Sequence, residues 1–304
     1  MIIDIDAYLR RLGLSRPGSA SAAVLGAIHR AHVSRVPYEN LLIQLDRPAD
    51  LDAATTVSRI LRGGGGYCFE LNGALAALLE ALGFQVSRYE GRVWHHRPDS
   101  DSPVNHMPMI VRCDDGSRWL VEAGMSDAVA APLPLTPGEV RQGPFTYRLE
   151  RVGDDGWRFH HDPDGCFDGM DFRLTPPVDG VFQRAHARLS RSPESPFMRA
   201  LVVARRDTTG ADVLRGRVLW RWDEAGRRSR TLGGEDEFFA VLGEFFGLPV
   251  DDLDAAARGA LWRKVCDAHE AWVHKRGAPM HWSAPAPIGS PGTGTPSTAT
   301  PAPE

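Results

Sequence analysis

The sequence predicts an α+β fold laid out in three successive regions, and three observations carry that reading. Apolar residues recur at helical spacing up to about residue 82, the period changes to two from Phe84, and a mixed strand and helix segment begins at Leu201. At 304 residues the chain exceeds one average domain and suits two or three small ones. Its 42% hydrophobic and 24% charged content is ordinary for a globular protein.

In the first region, residues 1–83, the segments Asp6–Leu12, Ser19–His32 and Ala53–Leu61 carry the helical pattern. The strongest helix follows Cys68. Leu71, Leu75, Leu78, Leu79 and Leu82 fall at i, i+4, i+7, i+8 and i+11 and make one apolar stripe. Gly83 stands where a helix C-cap glycine belongs. In the second region, residues 84–195, Phe84–Val86 and Tyr89–Val93 read as strands. Met107, Met109 and Val111 then alternate, Asp114-Asp115-Gly116 turns, and Trp119–Val121 follows. Short strands and turn signals continue to about residue 175, the pattern of a small β-barrel or sandwich. A Pro- and Arg-rich connection with one short helix leads into the third region, residues 196–280. There Leu201–Ala204, Val213–Arg217 and Leu219–Trp222 read as strands, and Glu235–Phe246 and Asp254–Val273 as helices. The tail, residues 281–304, is Pro, Ala, Ser, Thr and Gly with almost no charge, cannot bury a core and is expected to be disordered.

A net charge of −4 gives no electrostatic case for nucleic acid or anionic membrane as a partner. The acidic start, Met1-Ile-Ile-Asp-Ile-Asp6, lacks a basic stretch followed by an apolar run, so no signal peptide is expected. No run of about 18 apolar residues predicts a transmembrane helix. Cys68, Cys113, Cys166 and Cys266 show no paired spacing, which speaks against a disulfide framework and for a reducing cytoplasm. No metal is expected: adjacent histidines in His95-His96 and His160-His161 point oppositely on extended backbone, and no ligand cluster completes either pair.

The chemistry concentrates in Arg62-Gly-Gly-Gly-Gly-Tyr-Cys68-Phe-Glu-Leu-Asn72. A thiol at a helix N-terminus sits in partial positive charge, which favours thiolate. Four glycines in a row cost backbone entropy and suggest a place where another molecule fits closely. No Gly-Lys-Ser/Thr follows, so a phosphate loop is not indicated. Most free cysteines are small buried hydrophobes, but this setting reads as a nucleophile in need of a base.

His106 is the best-placed base. If Asp114-Asp115-Gly116 is a three-residue hairpin loop with Gly116 left-handed, Cys113 pairs with Ser117 and paired positions sum to 230, as 113 + 117 does. His106, beginning the strand through Cys113, then lies opposite Gly124, with Glu122 its diagonal neighbour on the same face at roughly 7–8 Å. The Glu122 carboxylate can hold the imidazole and set its tautomer, the orienting role of an acid in a nucleophile–base–acid triad. A one-residue slip would put the two on opposite faces.

These residues carry a resemblance. The chain resembles the arylamine N-acetyltransferases, part of a superfamily that includes N-hydroxyarylamine O-acetyltransferases and amide synthases. Members show Arg-Gly-Gly-x-Cys-Phe-Glu-x-Asn, matched by Arg62 to Asn72 with extra glycine. They show Pro-Phe-Glu-Asn-Leu, here Pro37-Tyr-Glu-Asn-Leu41. Val104-Asn-His106, Val121-Glu-Ala-Gly-Met-Ser126 and Ser195-Pro-Phe197 match more loosely, and the similarity runs from about residue 5 to 275. The resemblance implies a cysteine-protease-like arrangement of helical bundle, antiparallel β-barrel and α/β lid. It implies Cys68 as acyl acceptor, His106 as base and acid, and Glu122 as orienter. It implies a supporting ion pair between Glu39 and Arg62, and substrate or CoA contacts at Tyr38, Ser102, Asn105, Met125 and Ser126. Three residues depart from the pattern: Glu122 replaces the usual Asp, Met125 a Phe and Ser126 a Gly.

The implied reaction is ping-pong transfer of acetyl from acetyl-CoA, a co-substrate with no bound cofactor, to the nitrogen of an aromatic amine or hydrazine, or to a hydroxylamine oxygen. An amide synthase taking a polyketide chain from an acyl carrier protein is the alternative. A thiol hydrolase using the same triad and a non-catalytic binding module are further readings.

Overall fold

The helical period of the first region resolves into five helices and one short strand in the computed structural model, which describes residues 3–96, 101–127 and 129–276. They are α1 (Ile5–Arg11), α2 (Ala22–Arg35), β1 (Tyr38–Glu39), α3 (Leu41–Gln44), α4 (Ala53–Leu61) and α5 (Cys68–Ala81). Asp4, Ser21 and Asp52 each cap a helix by accepting a backbone N–H of its first turn. The α5 leucine stripe packs on Leu9, Leu25, Ile28, Val57 and Ile60 of the other helices. The start of α5 packs in a separate cluster, Cys68 and Phe69 with Ile43, Tyr67, Met107, Ala185 and Leu189.

Nine strands follow: β2 (Gln85–Arg88), β3 (Gly91–Trp94), β4 (Met109–Arg112), β5 (Arg118–Val121), β6 (Leu133–Pro134), β7 (Gly138–Gln142), β8 (Phe145–Val152), β9 (Gly156–His160) and β10 (Gly169–Arg173). They do not close into one barrel. They form two open sheets, β2-β4-β5-β6 and β3-β10-β9-β8-β7, around a shared core that includes Ile110, Leu120, Tyr147, Phe159 and Met170. The ring stays open because β3 leaves β2 to pair with β10, so the chain divides its edges between the sheets. The β4–β5 register is the one the turn demands: Met109 pairs with Val121 and Ile110 with Leu120, each summing to 230. Gly116 has φ +83°, and the Cys113 N–H donates to Ser117 O at 2.9 Å. The strand itself begins at Met109 rather than His106, because Pro108 has no N–H to give the ladder. His106 instead makes an isolated bridge to Gly91.

Two helices, α6 (Val181–Arg191) and α7 (Pro196–Arg199), lead to β11 (Val202–Arg206), β12 (Gly210–Arg215), β13 (Val218–Asp223) and β14 (Gly226–Thr231). Helix α8 (Glu235–Ala240) widens into one π-helical turn, Val241–Phe245, and α9 (Ala255–Arg276) ends the described chain. The third sheet runs β1-β11-β12-β13-β14, so a strand from the first region completes it. Tyr38 pairs with Ala204 and Glu39 with Val203. Asn40 locks the joint: its amide donates to Phe197 O and Ala200 O, and its Oδ1 accepts from the Val202 N–H at 2.8 Å. Among the described residues no helix is long and apolar enough to cross a membrane. The tail expected to be disordered lies outside the described residues.

Candidate active site

Cys68 is the first residue of α5 and is 2% exposed. Its neighbour Tyr67 is pinned from two sides. The Tyr67 N–H donates to Glu70 Oε2 at 3.0 Å, capping the helix, and its hydroxyl meets His186 Nδ1 of α6 at 2.5 Å. Across the thiol lie two pieces of the second region. Asn105 O is 3.9 Å from Sγ. Gly124 approaches so closely that a Cβ there would sit 2.6 Å from the Cys68 Cα, so only glycine brings this segment against the helix start.

His106 and Glu122 meet as the hairpin register predicts. His106 Nε2 and Glu122 Oε2 are 2.7 Å apart, with both side chains 2% exposed. The other carboxylate oxygen accepts from Asn72 Nδ2 and from the Gly124 N–H, both at 2.8 Å. Asn72 also donates to Met107 O and accepts from the Ala123 N–H. It therefore ties α5 to the segments bearing both the base and the acid. His29 of α2 adds a second anchor, its Nε2 3.0 Å from Glu122 O and its Nδ1 3.4 Å from Ala130 O. With Nε2 bound to the carboxylate, Nδ1 is the His106 nitrogen left for proton exchange with another group.

The electrostatics of Cys68 run against the expectation that the helix start favours its thiolate. Burial pushes the thiol well above its ordinary value and the Glu122 charge adds to this, while the N–H groups of Phe69 and Cys68 at the helix start act the other way. Ionisation of Cys68 therefore requires that its proton move to a nearby base. Tyr38, near Cys68, has its phenol held far above the usual range by burial and then by Cys68 and Glu122, so it stays a neutral wall.

The glycine run is filled by the protein itself. A Cβ on Gly65 would fall within the Pro37 carbonyl, one on Gly64 would lie 2.6 Å from Arg59 Cγ, and one on Gly66 2.8 Å from Arg59 Nη2. Arg59 of α4 passes through this gap, donating Nε–H to Gly65 O at 2.7 Å and pairing Nη2 with Glu70 Oε1 at 2.8 Å. Glu39 faces the same guanidinium: burial raises its carboxyl and Arg59 opposes the shift. Arg62, expected to pair with Glu39, instead donates to Ser58 Oγ on the exposed side of α4. Arg59, not Arg62, is the arginine that reaches the cysteine loop.

Of the other expected contacts, Met125 is buried in the second-region core and Ser126 donates to Asp127 Oδ1. The Asn105 amide is committed to the backbone of Val93 in both directions, so only its carbonyl faces the thiol. Ser102 O accepts from Arg92 Nε. Sequence reasoning missed a buried cluster beside this wall. Asp127 Oδ2 accepts from the Cys166 N–H at 2.7 Å, and its Oδ1 lies 3.5 Å from His161 Nε2. The His161 ring is packed edge-on against Phe167, Tyr147 and Phe145. The signal was in the sequence only as one acidic residue in an apolar run. Burial alone would raise the Asp127 carboxyl, but the His161 charge and the bonds from His161 and Cys166 outweigh it and hold it below the usual range. A depressed folded-state pKa gives stability that is present above the unfolded aspartate value and lost as pH falls through the folded one. Asp127→Asn is expected to cost about 3 kcal/mol near neutral pH, with the gap to wild type closing below about pH 3.9, as urea titrations at several pH values would read. Among the described residues, no group of three or more His, Cys, Asp or Glu is placed to hold a metal ion.

Comparison with known proteins identifies the family of the chain. An N-acetyltransferase family model matches residues 21–255. The arylamine N-acetyltransferase of Escherichia coli is 30% identical over 259 residues, covering 82% of this chain and 90% of that protein. The arylamine N-acetyltransferase of Mycobacterium marinum, solved in complex with CoA, superposes with a TM-score of 0.78 at 28% identity, covering 87% of this chain and 99% of that one. That of Nocardia farcinica gives a TM-score of 0.77 at 31% identity, covering 86% and 93%.

Proposed function

The chain belongs to the arylamine N-acetyltransferase family and is an acyltransferase using acetyl-CoA, and from that premise we propose that Cys68, His106 and Glu122 carry out its acetyl transfer in two half-reactions. The observation that supports this reading most strongly is the 2.7 Å contact of His106 Nε2 with Glu122, which leaves Nδ1 as the ring nitrogen able to accept a proton. Cys68 gives its proton to His106 as Sγ attacks the thioester carbonyl, and Glu122 stabilises the imidazolium that results. The N–H groups at the start of α5 stabilise the oxyanion of the tetrahedral intermediate. Collapse breaks the C–S bond to CoA, whose sulfur leaves with the proton from His106. An aromatic amine or hydrazine nitrogen, or a hydroxylamine oxygen, then attacks acetyl-Cys68. His106 takes the acceptor's proton and returns it to Sγ.

The third region acts in this scheme as a lid. Its sheet incorporates β1, whose Tyr38 bridges to Gly66 of the cysteine loop, and in this reading Tyr38, Met125 and Ser126 line the acceptor side. The donor enters along residues 102–106. Intact-mass measurement after incubation with acetyl-CoA tests the first half-reaction. One acetyl group on wild type, lost on adding an arylamine and never formed on Cys68→Ala, is expected. An unmodified wild type, or an adduct that survives in Cys68→Ala, would refute the scheme.

A further inference from the structure

We propose that Arg59 is a positioning residue for the Cys68 thiol, working through the cysteine loop rather than touching substrate. This role rests on Cys68 being the nucleophile. Arg59 joins the three pieces of backbone that decide where Cys68 sits. Its Nε–H fixes the Gly65 carbonyl, three residues before the thiol. Its Nη2 pairs with Glu70, whose other oxygen caps the helix at the Tyr67 N–H. Its charge faces Glu39 on β1, which accepts from the Leu41 N–H at 2.5 Å and brings in the third sheet.

Glu39 and Glu70 are 4% and 7% exposed, so the guanidinium is the counter-charge for two buried carboxylates. A planar fork is needed, because one nitrogen serves a carbonyl while another serves a carboxylate. Gly64 and Gly66 are what this device requires: each leaves the space through which the arginine stem or head passes. The loop is thus filled by the protein's own arginine rather than by another molecule, and the thiol is held where the carbonyl must arrive. A displacement of about 1 Å in such a group costs on the order of 100-fold in rate.

The test separates positioning from charge balance. Arg59→Gln is expected to slow acetyl-Cys68 formation at saturating acetyl-CoA by about 100-fold, with KM nearly unchanged, and to slow iodoacetamide alkylation of Cys68 in parallel. Arg59→Lys keeps the charge without the fork and is expected to lie between Arg59→Gln and wild type. Arg59→Gln with Glu70→Gln removes one unbalanced carboxylate yet keeps a helix cap, because Gln serves at that position. This double variant is expected to regain thermal stability without regaining either rate. Wild-type rates in Arg59→Gln, or rates that return with stability in the double variant, would overturn the proposal. Alkylation needs no acetyl-CoA, so it reads the role of Arg59 even if the wild type takes no acetyl group.

Discussion

His106→Gln is expected to lower acetyl transfer by about 10⁴-fold, the upper end of what a positioned proton-transfer group supplies. The reason lies in the balance of charges around Cys68. Burial and Glu122 both favour the neutral thiol, and the helix N-terminus does not outweigh them. Without an imidazole to receive the proton, little thiolate forms near neutral pH. Alkylation of Cys68 in the variant is therefore expected to rise only above the ordinary thiol value of about 8.5, whereas the wild type reacts near neutrality. Glutamine can still donate to Glu122, so the fold should survive the change. Neutral-pH alkylation as fast as wild type in His106→Gln would show that Cys68 ionises without the histidine, and the proton route proposed above would fall.

Features that depend on neighbours along the chain are legible in the sequence itself. Helix α4 spans the residues its periodicity marks, because Asp52 caps it and the glycine run stops it. The β4–β5 register follows from one left-handed glycine, and it brings His106 and Glu122 to the same end of the hairpin, where they meet within a hydrogen bond. Features that depend on distant partners are not legible there. Strand β1 is two residues long and exists because β11, more than 160 positions away, pairs with it. Strand β14, Gly-Arg-Arg-Ser-Arg-Thr, carries no apolar alternation and is held by β13. Motif matching puts the supporting arginine at Arg62, whereas the fold turns Arg62 to Ser58 on the exposed side of α4 and brings Arg59 to the loop. The open sheets in place of a barrel also turn on pairing between β3 and β10 across some 75 residues.

The carboxylate at position 122 should separate length from charge. Glu122 is bound at both oxygens, Oε2 by His106 and Oε1 by Asn72 and the Gly124 N–H, and it is 2% exposed. Every donor in this frame is placed for a glutamate. An aspartate is shorter by one C–C bond, about 1.5 Å, and cannot reach both sets. Glu122→Asp is expected to keep the imidazole contact at the expense of Asn72 and Gly124 and to lose about 10- to 100-fold in the rate of CoA release, although aspartate is the usual residue in the proteins this chain resembles. Glu122→Gln keeps the length and removes the charge. Turned one way, its NH2 faces His106 Nε2 and imposes the other tautomer; turned the other way, it meets the Asn72 and Gly124 donors head-on. The loss should approach 10⁴-fold, the size seen when the acid of a serine-protease triad becomes an amide. Glu122→Ala strands three donors in a dry site and is expected to cost about 3–5 kcal/mol of stability as well. Pre-steady-state CoA release and thermal melts on the three variants give the order. If Glu122→Asp equals or exceeds wild type, the frame is not built for glutamate. If Glu122→Gln stays within tenfold of wild type, the carboxylate charge does not orient or stabilise His106.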